Sequence, residues 1–352
     1  MRDIEYIIVM ILILLISIPV NVLGRYNIYS KLSLVLIIGV LSLFSGLQYG
    51  VGTDFWDYKH MFDMALQGLA PEDIEKIFYM LNVFIRTFTD KSEFFFVITS
   101  IIINACIIIT IYNKSSNFIL SVFLYISMGF YITSFNILRQ FISIAIMFFI
   151  INIGERPTVL KVLIAILIGM GFHNTSIIAI FLIVPFLFKY IEIFKDIDIR
   201  KLIIIFGIIS LSCFIIEPVI TNTLLMGKYE YYGDTNFFSY GTSIIYIIEY
   251  ISILFFYYIY HKNIKKNKEF YLFAICIGLV FIILGYRGVL YNRMAISFNL
   301  YNTLLLPEVL NNIKFSKERR ILIYIIYLMF FLKFILLLRT TPSYTTNVNI
   351  FY

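Results

Sequence analysis

Long uncharged apolar stretches recur along the chain: Tyr6–Leu23, Leu32–Gln48, Phe94–Tyr112, Val162–Phe188, Leu202–Ile216, Phe270–Tyr286 and Ile321–Leu332. Most are as long as the ~17–25 residues with which an α-helix crosses about 30 Å of hydrocarbon. A β-barrel would instead show short segments of alternating hydrophobicity. The pattern predicts an all-α polytopic membrane protein. Val162–Phe188 carries a polar break, GFHNTS at 171–176. Lys161 and Lys189 flank this stretch on what reads as the same side, so an even number of crossings is expected between them. The chain then rises as one short helix, turns at GFHNTS and returns as another, with Asn174, Thr175 and Ser176 as N-cap candidates. The same reasoning puts a turn at Thr133–Asn136, with Arg139 opening the returning helix. Short helices leave such turns below the membrane surface, where irregular backbone is tolerated only inside protein or beside a water-filled cavity.

Orientation follows from Lys and Arg in the short connections. Basic residues collect at Arg25/Lys31, Lys114, Arg156/Lys161, Lys189/Lys195/Arg200/Lys201, Lys262/Lys265/Lys266/Lys268 and Lys314/Lys317/Arg319/Arg320. These segments are expected in the cytoplasm. Gly50–Lys91, Thr133–Gln140, Gly171–Ser176, Pro218–Thr242, Tyr286–Arg293 and the tail from Arg339 are expected outside, with both termini. About twelve transmembrane or partly spanning helices result, Ala70–Phe88 being either interfacial or a partial span. No polar stretch is long enough for a soluble domain, so residues 1–352 read as a single integral membrane domain. The first apolar run has no A-x-A-like cleavage site and reads as a retained span.

Composition agrees with this reading. The chain is 61% hydrophobic and 14% charged, with a mean hydropathy of +0.92; soluble domains average about 45–50% apolar and about 25% charged. The net charge of +7 sits in short loops as an orientation signal, so no nucleic-acid partner is expected. Cys106, Cys213 and Cys276 lie in apolar runs without metal spacing and read as small buried hydrophobes. No Gly-rich phosphate loop, Cys/His metal cluster or serine-triad pattern is present, and neither a cofactor nor a metal is expected.

Ionisable groups in or near spans are expensive and usually face a cavity or a partner. Asp54 and Asp57 in YGVGTDFWDY, Arg139 in NILRQFISIA, His173 in FHNTS, and Arg287 and Arg293 in YRGVLYNR all fall at outer helix ends. Guanidinium groups bind phosphate oxygens through a planar fork, and a neutral imidazole can take a proton from a hydroxyl. Each has a plainer reading. His173 can cap or staple helices, Arg139 can snorkel, Arg287 and Arg293 can be loop charges, and Asp54 can cap the helix that begins at Phe55. The aromatic loop KYEYYGDTNFFSYG at 228–241 suits a sugar or an ordinary membrane interface.

LQYGVGTDFWDY, EKIFYMLN at 75–82, NILRQFISIAI and GMGFHNTSIIAI occur in that order. In sequence and spacing they resemble the EpsG-like, Wzy-type polysaccharide polymerases of bacteria, over most of residues 40–300. The resemblance implies a multi-pass protein of the bacterial cytoplasmic membrane, with a GT-C-like fold by analogy. It implies an enzyme that joins oligosaccharide repeat units carried on undecaprenyl diphosphate, at the outer membrane face. The product would be capsule, O-antigen or exopolysaccharide. The lipid bilayer, a chain-length regulator and a flippase are further expected partners. Matched residue by residue, it points to Asp54, Tyr58, Glu75, Arg139, Gln140 and His173, and less securely to Arg293. His173 and Asp54 are the candidate catalytic groups. Arg139, Gln140, Arg287, Arg293, Tyr58 and Glu75 are the candidate substrate- and diphosphate-binding groups. Gln48 stands where the family often has arginine before VGTD. A lipid-linked oligosaccharide transporter or flippase, an O-antigen ligase and a membrane acyltransferase are the alternatives; the internal repeats usual in transporters are not seen.

Overall fold

The computed structural model describes residues 4–52, 54–67, 74–188, 199–224, 244–264, 269–341 and 344–345. The loop at 228–241 and Lys189, Lys195, Lys265, Lys266 and Lys268 lie outside the described residues. Among those described, the chain is helical and without strands. Four helices or helix pairs are long and apolar enough to cross a membrane: Ile4–Leu23, Ile28–Gly46, Ser92–Lys114 and Ser316–Arg339. Six shorter apolar helices accompany them: Phe118–Ser127, Leu138–Asn152, Val159–Met170, Asn174–Leu187, Tyr246–Ile259 and Glu269–Leu284. This is an integral membrane protein. Isoleucine, leucine and phenylalanine side chains stand exposed along the long helices, a surface that lipid accepts and water does not.

The chain divides into two compact units, 1–177 with 314–352, and 178–313. In the first unit, α1 (Ile4–Ile16) and α2 (Ile18–Leu23) form one apolar run broken at Ser17. Pro19 lacks an N–H and sits in the first turn of α2, where none is needed. The Ser17 hydroxyl donates to the Ile13 carbonyl at 2.7 Å, beside the Ser17 amide's bond to the same oxygen at 3.0 Å. Helix α3 (Ile28–Gly46) starts at Asn27, whose side chain accepts from the Tyr29 amide. Then come α4 (Phe55–Met64), α5 (Lys76–Arg86), α6 (Ser92–Lys114), α7 (Phe118–Ser127), α8 (Phe130–Thr133), α9 (Leu138–Asn152) and α10 (Val159–Met170). Asn117 caps α7 and Thr158 caps α10 through their side chains.

Helix α6 is the centre of this unit. It buries 56% of its most apolar stretch, against 28%, 33% and 22% for the other three long spans, and packs against α3, α7 and α9. Its Asn104 amide donates to the Ser100 carbonyl at 2.9 Å and its carbonyl oxygen accepts from the Tyr125 hydroxyl at 3.2 Å. The Tyr131 hydroxyl donates to the Leu41 carbonyl at 2.7 Å. The two tyrosine bonds join different helices, and in lipid, where no water competes, such bonds and close packing hold helices together.

The helices sort the loops of this unit into two ends. At one end Arg25 donates to the carbonyls of Asn113 and Ser115. There Lys114 donates to Gly154, and Lys161 to Ile153 and Arg156. This basic end gathers segments that the charge pattern assigned to one side. At the other end lie Asp54, the start of α5, the 134–137 turn and the 171–176 turn. The segment after the last long helix joins them, with the Tyr49 amide donating to the Thr345 carbonyl at 2.8 Å. Helix α5 is an 11-residue amphipathic helix that buries Phe78, Asn82 and Ile85; at about 1.5 Å per residue it is too short to span.

One local expectation is corrected. The segment returning from GFHNTS is not an α-helix capped by Asn174, Thr175 or Ser176. It is a 3-10 helix, Asn174–Ile183, followed by a short α-helix, α11 (Val184–Phe188). The polar side chains turn back on the loop instead. The Ser176 hydroxyl donates to the His173 carbonyl at 2.6 Å and bonds the Ser143 hydroxyl of α9. A 3-10 helix rises about 2.0 Å per residue against about 1.5 Å, so this strand of the turn reaches farther per residue than an α-helix would.

The second unit contains α12 (Ile199–Leu224), α13 (Ile244–Ile259), α14 (Glu269–Leu284), α15 (Val289–Asn299) and α16 (Asn302–Asn311). Helix α14 is its centre, packed against α12 and α15, and is buried nearly all round. The chain then rejoins the first unit through α17 (Ser316–Thr340). Cys276 is buried, whereas Cys106 and Cys213 are only half-buried.

Candidate functional site

At the second end of the first unit the polar residues form a connected network. Its keystone is Glu75, at the N-cap position of α5. That residue is extended, and its side chain does not cap its own helix. One carboxylate oxygen accepts from the Asn174 amide at 3.0 Å. The other pairs with Nη1 of Arg139 at 3.0 Å. Glu75 therefore ties the start of α5 to α9 and to the 171–176 turn. The backbone reinforces the tie: the first-turn amides of Ile77 and Phe78 both donate to the Gly171 carbonyl, at 2.9 and 3.1 Å. These N–H groups have no partner within their own helix. Position 171 must be small for this approach, since a Cβ there would sit 2.2 Å from Cδ1 and 2.5 Å from Cγ1 of Ile77.

Arg139 is the second residue of α9. Its guanidinium lies 5.8 Å from the centre of the Phe78 ring, and its side chain is 23% exposed while that of Glu75 is 7% exposed. Tyr58 on α4 stands beside Arg139. Burial, and then the nearby Asp54 charge, push the Tyr58 phenol up to about 12 against the opposing pull of Arg139. The Tyr58 hydroxyl thus stays neutral at physiological pH. Gln140 is buried. Adjacent helical positions do not share a face, so it points away from the direction Arg139 takes.

Asp54 opens α4, but its side chain makes no cap hydrogen bond; the plain capping reading of this carboxylate does not hold. Its backbone N–H donates to Oδ1 of Asn136 at 3.1 Å. That same oxygen lies 3.0 Å from where a Cβ at Gly52 would stand, and Gly52 has φ +91°, a conformation that favours glycine. Gly52 and Asp54 are thus fitted against the turn before α9. Gln48 is buried and its Oε1 has no hydrogen-bond partner among the described residues.

His173 ends the α10 turn and is half-buried. Its Nδ1 lies 2.7 Å from the Thr175 hydroxyl and accepts from the Thr175 backbone N–H at 3.2 Å. The first unit thus links Asp54, Tyr58, Arg139, Glu75, Asn174 and His173 through successive contacts. Among the described residues, no group of three or more His, Cys, Asp or Glu side chains gathers as a metal site.

Arg287 and Arg293 belong to the second unit. Arg287 pairs with Glu217 at 3.6 Å and stands over the Phe214 ring at 4.2 Å. The Tyr291 hydroxyl donates to the same carboxylate at 3.1 Å. Arg293 is half-buried on α15.

Several residues of these networks are missed by sequence reasoning. Glu217 has a readable signal, because it is the lone charge in the long apolar stretch from Leu202 to Leu224 and an ionisable residue inside a span suggests a partner. Asn136 acts through its side-chain oxygen on a backbone amide, and Asn174 and Thr175 act through their own backbone amides; none of these carries such a signal.

No curated protein and no solved structure matches this chain. One family model does, over residues 31–350. It takes in every position of the Asp54 to His173 network as well as Glu217, Arg287 and Arg293. The chain belongs to the EpsG family.

Proposed function

We propose that this protein is a polysaccharide repeat-unit polymerase of the bacterial cytoplasmic membrane. It would have about twelve membrane segments in a GT-C-like arrangement and act at the outer face. Its substrates are undecaprenyl-diphosphate-linked oligosaccharides. The growing glycan leaves its lipid diphosphate as the anomeric C–O bond breaks. A hydroxyl of the next unit forms the new glycosidic bond and gives up its proton to the enzyme.

The observation that carries this reading is the Arg139–Glu75 pair, set in a polar network at the end of apolar helices opposite the basic loops. A guanidinium has five N–H donors, and Glu75 takes Nη1. The Nε of Arg139 is buried without a hydrogen-bond partner among the described residues. Such donors are rare and ask for an explanation; a bound diphosphate supplies oxygens for this group's remaining donors. Arg139 would stabilise the leaving diphosphate electrostatically, the term that usually dominates such catalysis. Tyr58 would support that substrate site, and Glu75 would hold Arg139 in place. With both oxygens of Glu75 held by Arg139 and the Asn174 amide, Asp54 and His173 would be the two groups left to accept the hydroxyl proton. Arg287 and Arg293 are further candidates for phosphate. Helix α10 covers only about 18 Å, short of about 30 Å of hydrocarbon, so a turn such as 171–176 would lie within the membrane's depth beside a cavity.

Arg139→Lys tests the reading. Lysine keeps the charge and loses the planar fork. The variant is expected to insert normally and to make short products or none. Wild-type chain lengths from Arg139→Lys would remove Arg139 from diphosphate binding.

A further inference from the structure

Two groups were left as the acceptor's base, and the geometry around His173 separates them. Among the described residues, Nδ1 meets both the hydroxyl and the backbone N–H of Thr175. The hydroxyl at 2.7 Å can donate or accept. The backbone N–H cannot: it has a hydrogen and no lone pair. It is directed at Nδ1 across 3.2 Å, so Nδ1 must present its lone pair there. A proton on Nδ1 would stand head-on against the Thr175 N–H. The bond made by one ring nitrogen fixes the state of the other. The neutral ring therefore carries its proton on Nε2.

The turn is built to keep this arrangement. The His173 carbonyl accepts from the Ser176 amide at 3.1 Å and from the Ser176 hydroxyl at 2.6 Å. The Asn174 amide is held by Glu75, and Gly171 is held by the start of α5. The Thr175 amide thus sits in a segment fixed on both sides.

We infer that His173 works as a neutral hydrogen-bond donor through Nε2–H, to an oxygen of the substrate's leaving diphosphate, and that the acceptor hydroxyl's proton goes to the Asp54 carboxylate. This rests on the polymerase reading for the identity of the ligand; the tautomer itself does not. In the step, the anomeric C–O(P) bond breaks and its electron pair stays on the diphosphate. The acceptor oxygen forms the new C–O bond, and its proton passes to Asp54. His173 lends a hydrogen bond to the departing oxygen and keeps its own proton.

The test has two arms. The first labels the imidazole nitrogens with ¹⁵N in the full-length protein in lipid nanodiscs. His60→Gln and His261→Gln remove the other two of the three histidines. At neutral pH the His173 Nδ1 is expected to show the shift of an unprotonated nitrogen and Nε2 that of a protonated one. Thr175→Val should leave both unchanged, since the amide remains. A protonated Nδ1, as the other tautomer or as imidazolium, overturns the inference. This arm needs no turnover, so its failure is distinct from failure of the polymerase reading.

The second arm compares polymer formation. Gln offers an N–H near the position of Nε2 and takes up no proton, so His173→Gln should stay within about tenfold of wild type. His173→Leu should lose about 10²–10³-fold, the usual cost of removing one donor to a developing oxyanion. A Gln variant as inactive as the Leu variant would overturn the donor role and restore His173 as the base. Asp54→Asn should lose about 10²–10⁴-fold, as expected when a general base is removed; near-normal turnover would overturn its role.

Discussion

Glu75→Gln is the sharpest probe of how the network is held. The substitution is nearly isosteric, so packing changes little. Glu75 accepts two hydrogen bonds on two oxygens, one from the Asn174 amide and one from Arg139, each at 3.0 Å. Both partners are donors. Glutamine has one acceptor oxygen and one NH₂, so whichever way it turns, one partner faces an N–H. A buried donor left unsatisfied costs about 1–3 kcal/mol. The lost charge adds to this, but with Arg139 23% exposed water screens part of it and the full penalty of about 3–5 kcal/mol for breaking a buried pair is not reached. A total near 2–3 kcal/mol is about a 30- to 150-fold loss of the assembled arrangement. Polymer formation by membranes carrying equal amounts of each protein measures this. Glu75→Gln is expected to slow polymerisation by roughly that factor while inserting normally. Combined with Arg139→Lys it should cost much less than the sum of the two, because the residues touch. Wild-type turnover from Glu75→Gln, or full additivity with Arg139→Lys, would refute the claim that Glu75 positions Arg139.

Gly171→Ala places a Cβ against Ile77 and is expected to destabilise the α5 contact by about 1–3 kcal/mol, read as a lower unfolding temperature. Ile77→Ala in the same chain should recover part of the loss. Glu217→Gln should leave Arg287 poorly held and weaken polymer formation if Arg287 binds phosphate; if Arg287 is only a loop charge, activity stays at the wild-type level. For orientation, Trp56→Cys, at an exposed site, should react with an impermeant thiol reagent applied to intact cells. Lys317→Cys should react only after the membrane is opened, and its labelling in intact cells would invert the topology.

Much of the helical frame is legible from the sequence, because a span needs a long uncharged run and this chain writes such runs plainly. The two polar turns are legible for the same reason: a polar cluster inside an apolar stretch has to be a turn or a site. That Lys114 shares an end with the 153–156 loop, and Asp54 an end with the 133–136 turn, follows once basic and non-basic loops are sorted to opposite ends. Other features are not legible. The 3-10 form of Asn174–Ile183 is one of them: the segment's apolar residues read equally well as an α-helix, and its bonds to Ser143 and Glu75 come from distant parts of the chain. Glu75 reads as a possible ligand in the sequence, and only its two N–H partners identify it as the group that holds Arg139. The side of His173 that carries the proton depends on a backbone amide two residues on, which no residue pattern records. Glu217 was within reach, as a lone carboxylate in an apolar run.

The central claim is tested most directly by purified protein reconstituted in liposomes with undecaprenyl-diphosphate-linked repeat units as the only glycan. The account requires a ladder of products, each one repeat unit longer than the last and carried on lipid diphosphate, with free undecaprenyl diphosphate released at each step. The ladder should collapse to single units in Arg139→Lys. Repeat units that cross the bilayer without lengthening, or that are passed to a different acceptor without forming a ladder, would contradict it.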